Sequence, residues 1–408
     1  MVCETRKLAS IQIGNLQPMK VNTPWFEDLV DALTQVTGSG PVPLHAPEFS
    51  GNEWTYLKAC LDSTFVSSVG QYVDQFEAEL AKFTGAQYAV AVVNGTAALQ
   101  VALELSGVQR NDEVLVPTLT FVATANAVQY CGATPHFVDC ETSTLGMDVE
   151  RLRLHLKRIC EIKDDQCVNR QTGQVIRAIV PMHTFGHPSD LNGLVKLAHE
   201  FKLVLIEDAA EALGSFYQGT HVGVFGRFGV LSFNGNKTIT TGGGGALITN
   251  DERLAKRAKH LTTTAKRAHP WEYFHDEVGY NYRMPNINAA LGCAQLEQLP
   301  KMLEEKRNLY ERYKNSVGKL TGVTLLKEPE GCRSNYWLQT LMLDTAYQEK
   351  LTAALEFTNA KGLMTRPIWN LLHTLPSYIN APRMDLHCAQ DLVQRMFNIP
   401  SSSALGRA

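Results

Sequence analysis

Apolar positions along the chain follow two periods in alternation. From about residue 70 to residue 290, short apolar runs exchange with segments whose apolar side chains recur every three or four residues. Tyr72–Phe83 places Phe76, Leu80 and Phe83 on one helical face. Tyr88–Val93 is a valine-rich run stopped by Asn94-Gly95, and Thr96–Leu105 returns to helical spacing. Further strands are predicted at Glu113–Val116, His136–Asp139, Ala178–Pro181, Leu203–Glu207, Val230–Phe233 and Ala246–Thr249. Helices are predicted at Thr124–Tyr130 and Leu191–Phe201. Strands separated by helices in this way build a mostly parallel sheet covered on both faces. Ligands of such sheets collect beyond the carboxyl ends of the strands, which directs attention to Asn94, His183, Asp208 and Asn234.

The pattern shifts after residue 290. Asn288–Leu299 and Pro300–Leu320 read as two long amphipathic helices, followed by a mixed stretch from Val323 onward. That stretch suggests a second, smaller α+β domain. At the other end, Trp25, Leu29 and Leu33 give 24–36 a helical face, ahead of the extended connector Pro41-Val42-Pro43-Leu44. The expected division is an accessory segment over 1–45, a large domain over 46–290 and a small domain over 291–408.

Composition narrows the function. A chain of 408 residues can bury a large core, and 44% hydrophobic with 19% charged residues is a globular balance. With 38 basic and 41 acidic residues there is no basic excess of the kind a nucleic-acid binder needs. Nine cysteines, an odd number with no C-x-x-C, fit reduced thiols. No run of 18 apolar residues and no leader-like start is visible, so the expectation is a cytoplasmic protein without a membrane partner.

The chemistry concentrates between Leu203 and Gly245. Asp208 ends the apolar run VLIED, where an unpaired buried carboxylate is costly and calls for a cationic or hydrogen-bonding partner. Lys237 follows on a polar loop beside a run of four glycines, and a lysine in such a place can act as an amine nucleophile toward carbonyls. Alone, each residue has an ordinary reading as well: a helix cap for Asp208, a solvated charge for Lys237. His183 and His187 have i, i+4 spacing, but Gly186 and Pro188 interrupt any helix there and no third ligand presents itself, so no metal is expected.

Together, Glu207-Asp208-Ala209-Ala210 followed by Gly223, Gly226, Ser232, Phe233 and Lys237 resemble the signature of the DegT/DnrJ/EryC1/StrS sugar aminotransferases. These are fold-type-I pyridoxal-phosphate enzymes. The resemblance extends over about residues 45–400. It implies an α/β fold-type-I transferase with a mainly parallel seven-stranded central sheet and a smaller C-terminal α+β domain. It also implies pyridoxal 5′-phosphate as cofactor, held by Lys237 as an internal aldimine, with Asp208 on the pyridine nitrogen and both residues catalytic. Val92–Leu99 matches the family's phosphate segment, so Gly95, Thr96 and Ala97 are expected at the phosphate with Ser232 as a second ligand. Pro117–Thr124 matches the segment that places an aromatic ring on the cofactor, which makes Phe121 the candidate. His183, Glu211 and Asn234 are expected to line the same site. Gly279–Met284 resembles the family's G-x-N-x-R motif, which implies a homodimer with shared sites and Asn281 reaching the partner's cofactor. Arg283 and His373 are candidates for the sugar pocket. Two positions depart from the common pattern: Arg227 stands where many relatives have aspartate, and Glu211 where many have glutamine.

The activity so implied is transfer of an amino group from L-glutamate to C4 of a nucleotide-linked 4-keto-6-deoxyhexose. The texture of SFNGNKTITTGGGG and TRPIWNLLH is similar to the subgroup making UDP-linked bacillosamine- and legionaminic-type sugars for cell-surface glycans. A GDP- or dTDP-linked, perosamine-type acceptor is the alternative, followed by a sugar dehydratase, and by a non-catalytic sensor on the same fold.

Overall fold

The computed structural model describes residues 23–407; the first 22 residues of the expected accessory segment lie outside the described residues. In chain order the strands of the large sheet are β1 (Tyr88–Val92), β2 (Glu113–Pro117), β3 (Thr134–Val138), β4 (Cys160–Lys163), β5 (Gln166–Asn169), β6 (Val175–Ile179) and β7 (Val204–Asp208). After the two-residue strands β8 (Phe216–Tyr217) and β9 (Thr220–His221) come β10 (Phe228–Ser232) and β11 (Gly245–Thr249). Seven strands form the continuous order β1-β11-β10-β7-β6-β2-β3, and the β4–β5 hairpin hangs from β6 to make nine. Within the order of seven, β11 runs against both neighbours and the pairs from β10 to β3 are parallel, while the β4–β5 hairpin joins β6 antiparallel. The seven predicted strands therefore all form, within a few residues of the expected bounds. Helix α1 (Thr23–Thr37) opens the described chain, α2 (Glu53–Asp62) and α3 (Gln71–Thr84) precede the sheet, and α4 (Gly95–Leu105) and α5 (Val122–Tyr130) begin at the carboxyl ends of β1 and β2. The strands are fully buried through their apolar runs, as a sheet covered on both faces requires.

The sheet and the long helix after it each depart from the sequence reading. The hairpin β4–β5 falls in a stretch whose short alternation around Glu161 and Lys163, both exposed, carries little hydrophobic signal. The two helices expected to meet at Pro300 are one helix, Asn286–Val317, with Pro300 inside it. An internal proline costs about 3 kcal/mol. Packing overrides that cost, because Leu299 and Met302 on either side are buried in the main core while Leu309, Tyr313 and Val317 are buried in the second.

The second core surrounds an antiparallel four-stranded sheet built from Val323–Leu325, Gln339–Leu343, Met396–Ile399 and Arg366–Pro367. Helix α1 packs here through Trp25, Phe26, Leu29, Leu33 and Val36, joining the last part of the chain rather than the first. A third apolar cluster, with Leu119, Phe185, Trp337, Ile368 and Leu371, joins residues from the β2 and β6 ends to the C-terminal region. It adjoins the site described next. Among the described residues, no helix is long and apolar enough to cross a membrane.

Candidate active site

A cavity of about 300 Å³ opens where the carboxyl ends of β7 and β10 face the start of α4. Its lining includes Gly95, Thr96, Phe121, Asp208, Glu211, Ser232, Asn234 and Lys237, which the sequence reading had brought to one site. The floor is Asp208, delivered by the last residue of the apolar strand β7 and only 2% exposed. Its Oδ2 accepts the Thr124 hydroxyl at 2.7 Å and its Oδ1 the Ala210 amide at 3.2 Å. Burial pushes this carboxyl above its ordinary range, against those hydrogen bonds and the charge of Lys237.

Lys237 sits on the loop between β10 and β11. Its Nζ donates to Glu211 Oε1 at 3.2 Å and lies 4.0 Å from the centre of the Trp337 ring. Glu211 is wholly buried, and desolvation pushes it up to about 7 although Lys237 pulls it down.

The upper end of the cavity is a backbone cradle. Amides in the first turn of a helix have no acceptor within the helix. In α4, Asn94 caps the turn by accepting the Ala97 amide at 2.8 Å, while Gly95 and Thr96 line the cavity. The expectation that Ala97 offers its amide to a phosphate is thereby corrected: the cap has taken it. The cradle is tight, since a side chain on Gly95 would come 3.1 Å from Ser232 Cβ, and one on Gly245 would strike the Asn94 backbone at 2.4 Å. Close approach at these two glycines brings Ser232 beside the helix start.

Four other expected site residues stand elsewhere. His183 is fully buried with both ring nitrogens engaged, Nδ1 by the Ser189 amide at 3.1 Å and Nε2 by Glu207 at 3.1 Å, and it does not line the cavity. Glu207 in turn accepts the amides of Gly223, Phe225 and Gly226. The pair thus braces the glycine loop behind the site, and the exposed Arg227 that follows this loop does not disturb it. Arg283 is not a pocket residue: it pairs with Glu77 at 2.7 Å and donates to the Ala91 carbonyl at 3.0 Å within the core. His373 is spent on Thr118, Nδ1 to Oγ1 at 2.7 Å. Asn281 is exposed and outside the cavity.

Met182, Asn236, Trp337 and Trp369 line the cavity without having been singled out. Trp337 donates its indole N–H to the Asn236 carbonyl at 2.7 Å and closes the lysine's open side. Trp369 packs on Phe185 with ring centres 4.9 Å apart and lies 6.4 Å from Phe121. Both tryptophans arrive from the C-terminal part of the chain.

A buried acid, a lysine paired to a second acid, and a helix start with open amides are the parts of a site that binds a phosphorylated, carbonyl-bearing cofactor. The model of the family described as the DegT/DnrJ/EryC1/StrS aminotransferase family matches residues 47–408. The chain belongs to this family. It is a pyridoxal-phosphate-dependent sugar aminotransferase, using an amino donor and a nucleotide-linked sugar. Among similar proteins is the GDP-perosamine synthase of Escherichia coli O157:H7, 40% identical over 368 residues covering 89% of this chain and 94% of the relative. The GDP-perosamine synthase of Vibrio cholerae is 36% identical over 88% of this chain and 94% of its own. The crystal structure of the aminotransferase TlmJ from Streptoalloteichus hindustanus superposes with a TM-score of 0.80 at 27% identity, covering 90% of this chain and 94% of the other.

Proposed function

We propose that this aminotransferase carries pyridoxal phosphate on Lys237 and moves an amino group from L-glutamate to C4 of a nucleotide-linked 4-keto-6-deoxyhexose. The observation that carries the assignment of roles is the buried Asp208, a carboxyl facing a cavity with only a hydroxyl and an amide as partners. Such a group fits a ring nitrogen that brings its own proton. Gly95, Thr96 and Ser232 would hold the phosphate, and the half-exposed Phe121 at the start of α5 would cover the ring. When bound, pyridoxal phosphate supplies an electron sink that makes the carbon next to the transferred nitrogen acidic. Lys237 then moves the proton between the carbon atoms through Nζ, and Asp208 holds the pyridine proton in place. Trp337 and Trp369 keep water from the lysine side of the cavity.

The texture of the sequence put a UDP-linked acceptor first. Two relatives named for a GDP-linked product favour the GDP-linked alternative instead. The deciding experiment offers GDP- and UDP-linked 4-keto-6-deoxyhexoses with L-glutamate and reads the products by mass spectrometry. Amination of the GDP sugar at least about tenfold faster, a preference of some 1.4 kcal/mol, is the expected result; equal rates or a UDP preference would overturn it.

The site is proposed to be completed by a second copy, with Asn281 acting in trans. Trp271, Tyr273 and Val278, on the segment just before Asn281, are 80%, 79% and 87% exposed. Phe65 and Val69 are exposed on a neighbouring loop, tied to the same region where Asn286 donates its amide to the Ser67 carbonyl at 2.6 Å. Apolar area of this extent supports a covered face. Trp271→Asp combined with Val278→Asp is expected to yield a folded monomer in analytical ultracentrifugation with little turnover. A dimeric, active double variant would contradict the shared site.

A further inference from the structure

Glu211 is gripped from three directions. Its Oε2 accepts the Phe185 amide at 3.0 Å, and its Oε1 accepts from Lys237 Nζ at 3.2 Å. The amide of Asn335 holds the backbone carbonyls of Glu211 and Leu213 at 2.9 Å each. Phe185 presents its amide from the left-handed region, at φ 55°. That region is strained for a residue other than glycine. This strained turn, held by the buried contact of Phe185 with Trp369, fixes one oxygen of Glu211 and leaves the other aimed at the lysine.

The charges around this carboxylate are few. Lys237 faces it and favours its ionised form, while Asp208 disfavours that form. On the turn that carries Phe185, His183 bonds Glu207 and His187 packs edge-on against Tyr336, so neither is hydrogen-bonded to the Glu211 carboxylate. From the Asn335 segment the side-chain amide of Asn335 meets the Glu211 backbone, and on the lysine side burial and the charges of Lys306 and Lys237 hold the imidazole of His45 well below its ordinary range. Lysine cation plus carboxylate and lysine amine plus carboxylic acid are both neutral overall. Passing one proton between Nζ and Oε1 therefore leaves the charge of the buried pair unchanged, and neither form carries the penalty of an isolated buried ion.

We propose that Glu211 is a third acid–base residue of the site, taking the proton from Lys237 Nζ when the lysine is to bind carbon and returning it when the lysine is released. In the forward transfer an N–H bond of the ammonium breaks and an O–H bond forms on Oε1; the return reverses both. The ordinary glutamate carboxyl is too acidic to hold such a proton near neutral pH, whereas burial raises Glu211 to about 7, where donor and acceptor forms coexist. The proposal rests on Lys237 being the cofactor lysine.

The test compares the wild-type holoenzyme with Glu211→Gln, whose side-chain carbonyl can still accept the Phe185 amide. Without any amino donor, the visible absorption of the bound cofactor is expected to titrate through neutral pH in the wild type and to lose that transition in E211Q. In turnover, E211Q is expected to lower kcat by roughly 10- to 100-fold, below the full range for a general acid–base group because Lys237 remains, with KM for glutamate changed less than about threefold. An unchanged absorption titration in E211Q would overturn the proposal. Should E211Q fold poorly, infrared difference spectra of the wild type on cofactor loading decide: a new protonated-carboxyl band supports the transfer, and its absence refutes it. Borohydride reduction followed by peptide mapping separates the two layers. Cofactor found on Lys237 with an unchanged titration removes only the role of Glu211; cofactor on another lysine removes both.

Discussion

Lys237→Ala is expected to reduce turnover by about 10⁴-fold or more, the upper end of what a positioned acid–base group contributes. The loss is this large because Nζ has two tasks, binding the cofactor carbon and moving the proton, and no second amine is among the residues lining the cavity. The fold should survive. The side chain is 13% exposed, and its partners are Glu211 and the face of Trp337. Removing the cation leaves Glu211 buried without its counter-charge, and that carboxyl answers by holding its proton, since burial already raises it to about 7. The variant should therefore show native circular dichroism, bind pyridoxal phosphate only reversibly and lack the absorption of a lysine-bound cofactor. Turnover within tenfold of wild type would show that another lysine does the work.

Asp208→Asn is expected to keep the cofactor and slow turnover by roughly 10²- to 10⁴-fold, the range of a lost acid–base contribution. The amide is the same size and can still meet the Thr124 hydroxyl and the Ala210 amide, but it cannot balance a protonated ring nitrogen. The same substitution separates function from stability. Burial raises the Asp208 carboxyl above its unfolded value, so the folded protein binds this proton more tightly than the unfolded chain does. Stability contributed by the protonated form is complete below the unfolded pKa and declines as pH rises through the folded one. At neutral pH the cofactor-free wild type thus carries a cost that asparagine lacks. Its thermal midpoint should lie below that of the variant by roughly a few degrees. Adding pyridoxal phosphate should raise the wild type more than the variant. A cofactor-free variant less stable than wild type would mean that the charge of Lys237 outweighs the burial of Asp208.

Much of this site can be read from sequence because its central residues announce themselves locally. Asp208 terminates an apolar strand, where a carboxylate needs a reason to be, and Asn94-Gly95 marks the point at which a strand gives way to a helix. The residues that sequence reasoning placed wrongly are those whose partners lie far along the chain. Arg283 is claimed by Glu77, His373 by Thr118 and His183 by Glu207, and a motif cannot show that its polar side chain is already engaged. Ala97 is the local case: the asparagine that makes the helix start recognisable also uses up the amide. Trp337 and Trp369 had no signal of their own, since an aromatic residue in a mixed stretch reads as core until the fold brings it to the lysine. The continuity of the helix through Pro300 was hidden for the same reason: a local preference against helix is outweighed by burial against two separate cores.

Whether Lys237 carries pyridoxal phosphate for amino transfer is tested most directly by one experiment. The visible spectrum of the protein loaded with pyridoxal phosphate is recorded before and after L-glutamate, then again after a GDP-linked 4-keto-6-deoxyhexose. The expected result is a lysine-bound cofactor band that bleaches with glutamate as the cofactor gains an amine and returns when the sugar takes it. A band that glutamate leaves unchanged, or one present equally in Lys237→Ala, would contradict it.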